Sequence, residues 1–426
     1  MSSSAPIARS EFPREPPSRR LMRATAIDAR MIGMIAALAL IWVGFQVCTY
    51  AQSGEGLFLT PRNLWNLLIQ TSSIAVMAAG MVLVIVMRHI DLSVGAIVAF
   101  VSTVVGVAQV YFLPSYLGLD HPAIWILAVA LALAIGAAIG ALHGSLVAYF
   151  GIPAFIVTLG GQLFWRGAAW LTTSGATVAP LDVRFSRIGG WPPYGSIGAP
   201  WSWALAALAC LGIVAGLYIG RRRRARYKFP RRPMRVEVAI AVLGCLAALG
   251  ATAIVNAYAL PEGGTFVSAG YAVPALIALA VGVFMTFVAK RLRFGRHVYA
   301  IGGNPEAAEL AGVNVKMTTV AAFALMGLLA GVAACIESAR LDSAASQIGA
   351  LDELYVIAAA VIGGASLAGG VGTIAGALIG ALVIQSLQSG IALLGFDSAV
   401  QQMVVGMVLV AAVGLDSRSR RRAAKG

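Results

Sequence analysis

Charge is what this 426-residue chain has least of. Asp, Glu, Lys and Arg together make up 11% of it and apolar residues 59%, whereas soluble domains carry roughly a quarter charged residues. That balance excludes an ordinary soluble enzyme, and equally a disordered chain, which needs the reverse composition. Lysine is scarcest. Lys228, Lys290, Lys316 and Lys425 are followed by Phe, Arg, Met and Gly. None starts the Lys-Ser/Thr pair of a phosphate-binding P-loop, so the chain alone is expected to hydrolyse no nucleotide. Cys48, Cys210, Cys245 and Cys335 lie far apart without CxxC spacing, and His89, His121, His143 and His297 lack HExxH pairing. No metal, redox centre or bound cofactor is expected. GxSxG and paired catalytic Asp patterns are also missing, which disfavours an intramembrane enzyme.

The charges that are present fall in blocks. Arg9 to Arg30 supply six basic residues, the segment 221–235 nine, 290–316 five, and the segment after 417 another five, together 25 of 31. Each block flanks a long apolar run, the positive-inside pattern of cytoplasmic loops, so no nucleic-acid partner is expected despite a net charge of +14. Runs long enough to cross a bilayer cover about 31–50, 64–87, 94–112, 123–142, 145–172, 200–220, 236–256 and 267–289. Six crossings precede the basic loop at 221 and two more the one at 290. An even number must follow 317, either two crossings with re-entrant pieces or four. The expected architecture is an all-α polytopic membrane protein of about ten transmembrane helices, twelve at most, with both termini cytoplasmic. Its parts are a disordered basic tail at 1–30, a membrane domain at 31–416 and a basic tail at 417–426. Within the domain lie an extracytoplasmic Pro- and Gly-rich loop at 174–200, a basic cytoplasmic loop at 221–235 and a cytoplasmic loop at 290–316.

Inside the apolar runs glycine carries most information. Gly136, Gly140 and Gly144, and likewise Gly372, Gly376 and Gly380, recur every fourth residue, which places each trio on one helix face and suits close helix packing. The strings around them look alike, a hint of two repeated halves. His143 on the first glycine face reads as a packed, hydrogen-bonded histidine. The polar interruption His89-Ile90-Asp91-Leu92-Ser93-Val94-Gly95 reads either as a cap, Asp91 first and Ser93 second, or as a broken helix lining a pathway. Gly363 to Gly372 is too glycine-rich for a regular helix and suits a re-entrant turn or a tight extramembrane one. Gly302-Gly303-Asn304-Pro305-Glu306-Ala307-Ala308-Glu309 and Gly312 spell a helix of about two turns, with Asn304 as N-cap, Pro305 as first helical residue and Gly312 past the end. Such a helix suits a groove in another protein, with Glu306 and Glu309 available to basic residues there.

Four segments, in order over about residues 60–415, resemble a known family: His89 to Gly95, Pro153 to Leu159, Phe294 to Thr318, and Ser366 to Gly372. They are similar to the permease subunits of bacterial monosaccharide ABC importers. The long middle with its basic loop, at 200–256, is similar to the D-xylose branch. His89, where the family often has an acid, and Ala365, in place of a common Thr, depart from the pattern. The resemblance implies a multi-pass inner-membrane permease working as a homodimer. It would take a monosaccharide, D-xylose in that branch, from a periplasmic sugar-binding protein. A separate ABC ATPase that uses ATP and Mg would supply power, seated on Gly302 to Gly312. The pathway for a neutral sugar should offer amide, hydroxyl and aromatic groups, and the candidates are Asn66, Gln70, Asp91, Ser93, Phe155, Thr158, Gln162 and Trp165, with Thr71 and Ser72 beside them. An ion-coupled secondary transporter or channel is the alternative. It is disfavoured because Glu337, Asp342, Asp352 and Glu353 fall at the edges of expected spans.

Overall fold

The computed structural model describes residues 29–190, 195–230, 233–262 and 265–423. Helix α1 spans Ala29–Ser53, and the expected tail before it lies outside the described residues apart from its last two. Thr60, whose hydroxyl accepts the Asn63 N–H, and Pro61 at the first helical position start α2, Pro61–Val86. Helix α3 is Val94–Leu117, passing through a π turn at Ala108–Phe112. Helix α4 runs Ile124–Phe150, eight residues past the expected end, because the chain first breaks at Gly151 (φ +68°) and Pro153. Helix α5, Ala154–Thr173, follows. Helices α6, Gly198–Arg226, and α7, Met234–Ala257, form an antiparallel pair. The first six residues of the expected basic loop thus extend α6, which is held to α7 by Arg221 against Glu237 at 2.7 Å.

The all-α expectation needs one correction. Strands β1, Ala259–Glu262, and β2, Thr265–Ser268, pair antiparallel, joined through Gly263 and Gly264. The eighth apolar run was expected as helix from 267. Its first residues are instead strand, and α8 begins only at Val273–Arg291 with Pro274 in the first turn. Helix α9, Arg293–Gly303, and the two-turn α10, Pro305–Leu310, lead to α11, Val315–Leu341. Then come α12, Asp352–Ile362, α13, Ile374–Leu393, and α14, Ser398–Ala423. Among the described residues nine helices are long and apolar enough to cross a membrane: α1 to α4, α6, α7, α8, α11 and α13. Helix α5 carries Gln162 and Arg166 and is not among them, while the 11-residue α12 reaches only about 16 Å, roughly half a hydrocarbon core.

Helix α2 is the axis of the core, buried almost throughout from Leu67 to Met87. It belongs to the first of two sets of four helices, α2 to α5 and α11 to α14, that run in opposite senses. Helix α2 ends, and α11 begins, beside α9 and α10 at the end of the molecule that carries Lys290 and Arg291. Each long helix is followed by an irregular connection and a helix that starts inside the molecule: α3 after α2, α12 after α11. Helix α4 packs on α11 as α13 packs on α2, and α5 packs on α3 as α14 packs on α12. This is an inverted arrangement, although the two similar glycine strings fall at different places in it, 136–147 late in α4 and 372–383 at the start of α13.

The glycines set the closeness of these contacts. A methyl group on Gly136 or Gly140 would strike the backbone of α11 at Gly327 or Phe323, and one on Gly144 would sit 2.8 Å from Val320 Cα. The second trio does not share one helix face. Gly376 and Gly380 abut Gly363 and Ala359 of α12, whereas Gly372 precedes the helix and meets Val86 and Val82 of α2.

Candidate functional site

Three polar assemblies are built on this frame. The first lies where the two half-length starts meet. Gly95 of α3 abuts Gly349, whose φ of +68° and missing side chain let the segment before α12 come within contact of the Gly95 carbonyl. Ser93 sits at the cap position of α3, but its hydroxyl does not cap the helix. It donates to Asp91 Oδ1 at 2.6 Å and lies 3.2 Å from His143 Nδ1, and the Ser93 N–H also reaches Asp91 Oδ1 at 2.9 Å. Trp165 Nε1 donates to His143 Nε2 at 3.1 Å. Thr158 donates to the Ala154 carbonyl at 2.9 Å and to that of Ile90 at 3.3 Å. From α5, Gln162 Nε2 reaches Glu353 Oε1 at 2.8 Å, and Arg166 donates to the carbonyls of Ser346, Ile348 and Gly349 at 2.9, 2.9 and 3.2 Å. Helix α5 therefore holds both interrupted segments. Glu353 and Glu337 are buried, and Glu353 stands beside Gly95 in the interior, not at a span edge as expected. Asp91, Ser93 and Thr158 are buried too and bonded within the chain, while Phe155 is 54% exposed on the outer face of α5.

The second assembly grips the α9–α10 region. Arg88, in the left-handed region at φ +67°, donates from Nε to the Gly302 carbonyl at 2.9 Å and from Nη2 to that of Gly303 at 2.7 Å. Gly302 is packed against Val86 and Gly370, and the Gly370 N–H bonds the Val86 carbonyl at 2.9 Å. Tyr299 donates to the Gly372 carbonyl at 2.7 Å. Burial raises its phenol above the ordinary value, so it stays a donor. The glycine turn 363–372 thus lies against the end of α2 and the start of α10. Asn304 Oδ1 caps α10 through the Ala307 N–H at 3.0 Å, Pro305 opens it, and Gly312 follows at φ +84°. Ala308 faces the protein. Glu306, Ala307, Glu309 and, at 90% exposure, Leu310 face outward.

The third assembly is a cavity of about 260 Å³ at the opposite end of α2, lined by Arg62, Trp65, Asn66, Gln70, Tyr258 and Arg340, with Ile69 and the Gly189–Gly190 backbone. Thr71 and Ser72 face a smaller cavity and bond back to their own helix at Leu67 and Leu68. The eight pathway candidates therefore do not form one group. Asn66 and Gln70 line this cavity, five lie in the buried assembly, and Phe155 is apart. Arg88, His143, Arg166, Leu310 and Glu353 were not among the candidates. An arginine at the end of an apolar run was the available signal for Arg88, and a charge inside the apolar run 145–172 the signal for Arg166, whereas nothing in the sequence marks Leu310 as outward.

A membrane-embedded, helical chain with broken helices in inverted arrangement and a small capped helix offered at one end is a transport permease by architecture. The family profile described as branched-chain amino acid transport system / permease component matches residues 63–413, and the chain belongs to that family as a non-catalytic permease component. It is 36% identical over 397 residues to the xylose transport system permease protein of Escherichia coli K12, covering 93% of this chain and 94% of that one. It is 35% identical over 402 residues to the xylose transport system permease protein of Haemophilus influenzae, covering 94% and 100%. It is 34% identical over 363 residues to the ribose import permease protein of E. coli K12, covering 85% and 88%. No solved structure matches. The chain is a multi-pass membrane protein homologous to permeases of the bacterial inner membrane.

Proposed function

We propose that the chain forms the translocation path of an ATP-driven monosaccharide importer, with D-xylose as its solute. Similarity to xylose and ribose permeases supports the solute class, and the wider coverage by the xylose relatives, 93% of this chain against 85%, favours D-xylose. The end carrying α10 and the basic residues of α6 and α8 is cytoplasmic, as are both termini. Two copies form the path, a periplasmic binding protein delivers the sugar, and an ABC ATPase seats on Gly302 to Gly312. The observation that carries this reading is the double grip on the end of α9, from which α10 projects. Arg88 and the 369–372 turn hold Tyr299, Gly302 and Gly303, directly before the short exposed helix, to the interrupted segments of both repeats. Closure of the ATPase around nucleotide pushes α10, and the push reaches α2 and the α12–α13 turn together, switching the path between inward-open and outward-open states. The chain's own contribution is docking, transmission and a shaped polar route.

The test is Glu306→Arg with Glu309→Arg. Reversing both exposed charges should abolish co-purification of the ATPase and lower sugar uptake by about tenfold or more, the scale of a lost interface hot spot. Survival of both association and uptake would contradict the docking role.

A further inference from the structure

The cavity at the far end of α2 is a polar recess of ligand size that the buried assemblies do not use. It lies against the irregular segment 187–190, at the end opposite α10. At about 260 Å³ it falls just below the usual range for small-molecule sites, ~300 Å³ and up, which suits a single monosaccharide and excludes a disaccharide. Its chemistry is divided. Trp65 spends its indole N–H on the Gly270 carbonyl at 2.8 Å and stands 5.1 Å from the Tyr258 ring, so the two present apolar ring surface. Gln70 accepts from Gln385 at 2.9 Å through Oε1, which leaves its amide N–H groups to donate. The Asn66 amide and the Arg62 guanidinium make no hydrogen bond to the described residues. Carboxylates are absent from the lining, so the ammonium of an amino acid would find no partner there. A neutral polyol fits: its C–H face lies on the rings and its hydroxyls pair with amides and guanidinium.

We infer that this cavity is a reception site, where one monosaccharide rests on this chain after leaving the binding protein and before entering the path. The inference rests on the importer reading above and gives it a located stop.

The experiment uses the complete transporter, this chain with its ATPase and binding protein, reconstituted in vesicles with labelled D-xylose. Asn66→Ala is the informative variant because Asn66 supports no other residue, and Gln70→Ala is its companion. Loss of one or two hydrogen bonds should lower the maximal uptake rate about tenfold at saturating loaded binding protein. The binding-protein concentration for half-maximal uptake should stay unchanged, as should ATPase association. Unchanged maximal rates in both variants would overturn the inference. So would a raised half-saturating concentration at constant maximal rate, which would make the cavity a docking surface for the binding protein. Wild-type complex that moves no D-xylose under these conditions would instead fell the importer reading, and this inference with it.

Discussion

Arg88 and Asp342 lie just past the ends of the long helices α2 and α11, the second and the first residue beyond them, and each is in the left-handed region, at φ +67° and +47°. Neither is glycine, so the conformation costs about 1–2 kcal/mol at each. In both the turn aims a side chain at a loop on its own face of the molecule. Arg88 reaches Gly302 and Gly303, while Asp342 Oδ1 accepts from Ser186 Oγ at 2.6 Å and from the Leu181 N–H at 3.3 Å. Exchange of Arg88 separates strain from grip. Arg88→Ala and Arg88→Gly should both weaken the coupling of ATP hydrolysis to uptake, since both lose two charge-assisted bonds. Yet the glycine variant should be the more stable by about 1 kcal/mol in thermal unfolding of the solubilised protein. Equal stabilities would refute the strain, and full coupling in either variant would refute the grip. Of this pair the sequence shows only an arginine after an apolar run. Its partners lie more than two hundred residues away, where local pattern does not reach.

Among the elements, glycine spacing was informative where the residues belonged to one helix. Gly136, Gly140 and Gly144 all press on α11, whereas Gly372 lies outside the helix that its spacing suggested. Gly140→Ala should cost about 2–3 kcal/mol because its new methyl meets the Phe323 backbone. Gly160→Ala, on α5 with nothing within 4 Å, should be neutral or stabilising by up to about 1 kcal/mol. Thermal melts of the two in detergent should shift in opposite directions or one alone, and equal losses would contradict the packing described. Span existence was legible because about 20 apolar residues in a row have few other uses. Boundaries were less so. The break at Gly151 to Pro153 sits inside one continuous apolar stretch, and strand β2 takes the first two residues of the run expected from 267. Depth was not legible at all. Glu353 opens a helix, which reads as an edge, but that helix starts inside the molecule because α12 is a half-length element.

At the scale of the whole molecule, two sets of helices running in opposite senses both reach the end of α9, beside the short helix proposed above as the seat of the ATPase. Nothing in the chain supplies a nucleotide-binding loop, and the family to which it belongs consists of permease components. The two-turn helix was readable in the sequence because every one of its signals is local: Asn304, Pro305 and Gly312 act through their nearest neighbours. The anchoring of the residues just before it was not, since Arg88, Gly370 and Tyr299 come together only by folding. The most direct measurement is uptake of labelled D-xylose into vesicles containing this chain alone or with its ATPase and binding protein, at equal external sugar and with ATP supplied to the ATPase. We expect the lone chain to give no accumulation above the external concentration, with or without an ion gradient, and the full assembly to accumulate sugar while ATP lasts. Uphill accumulation by the lone chain would contradict a passive path driven through α10.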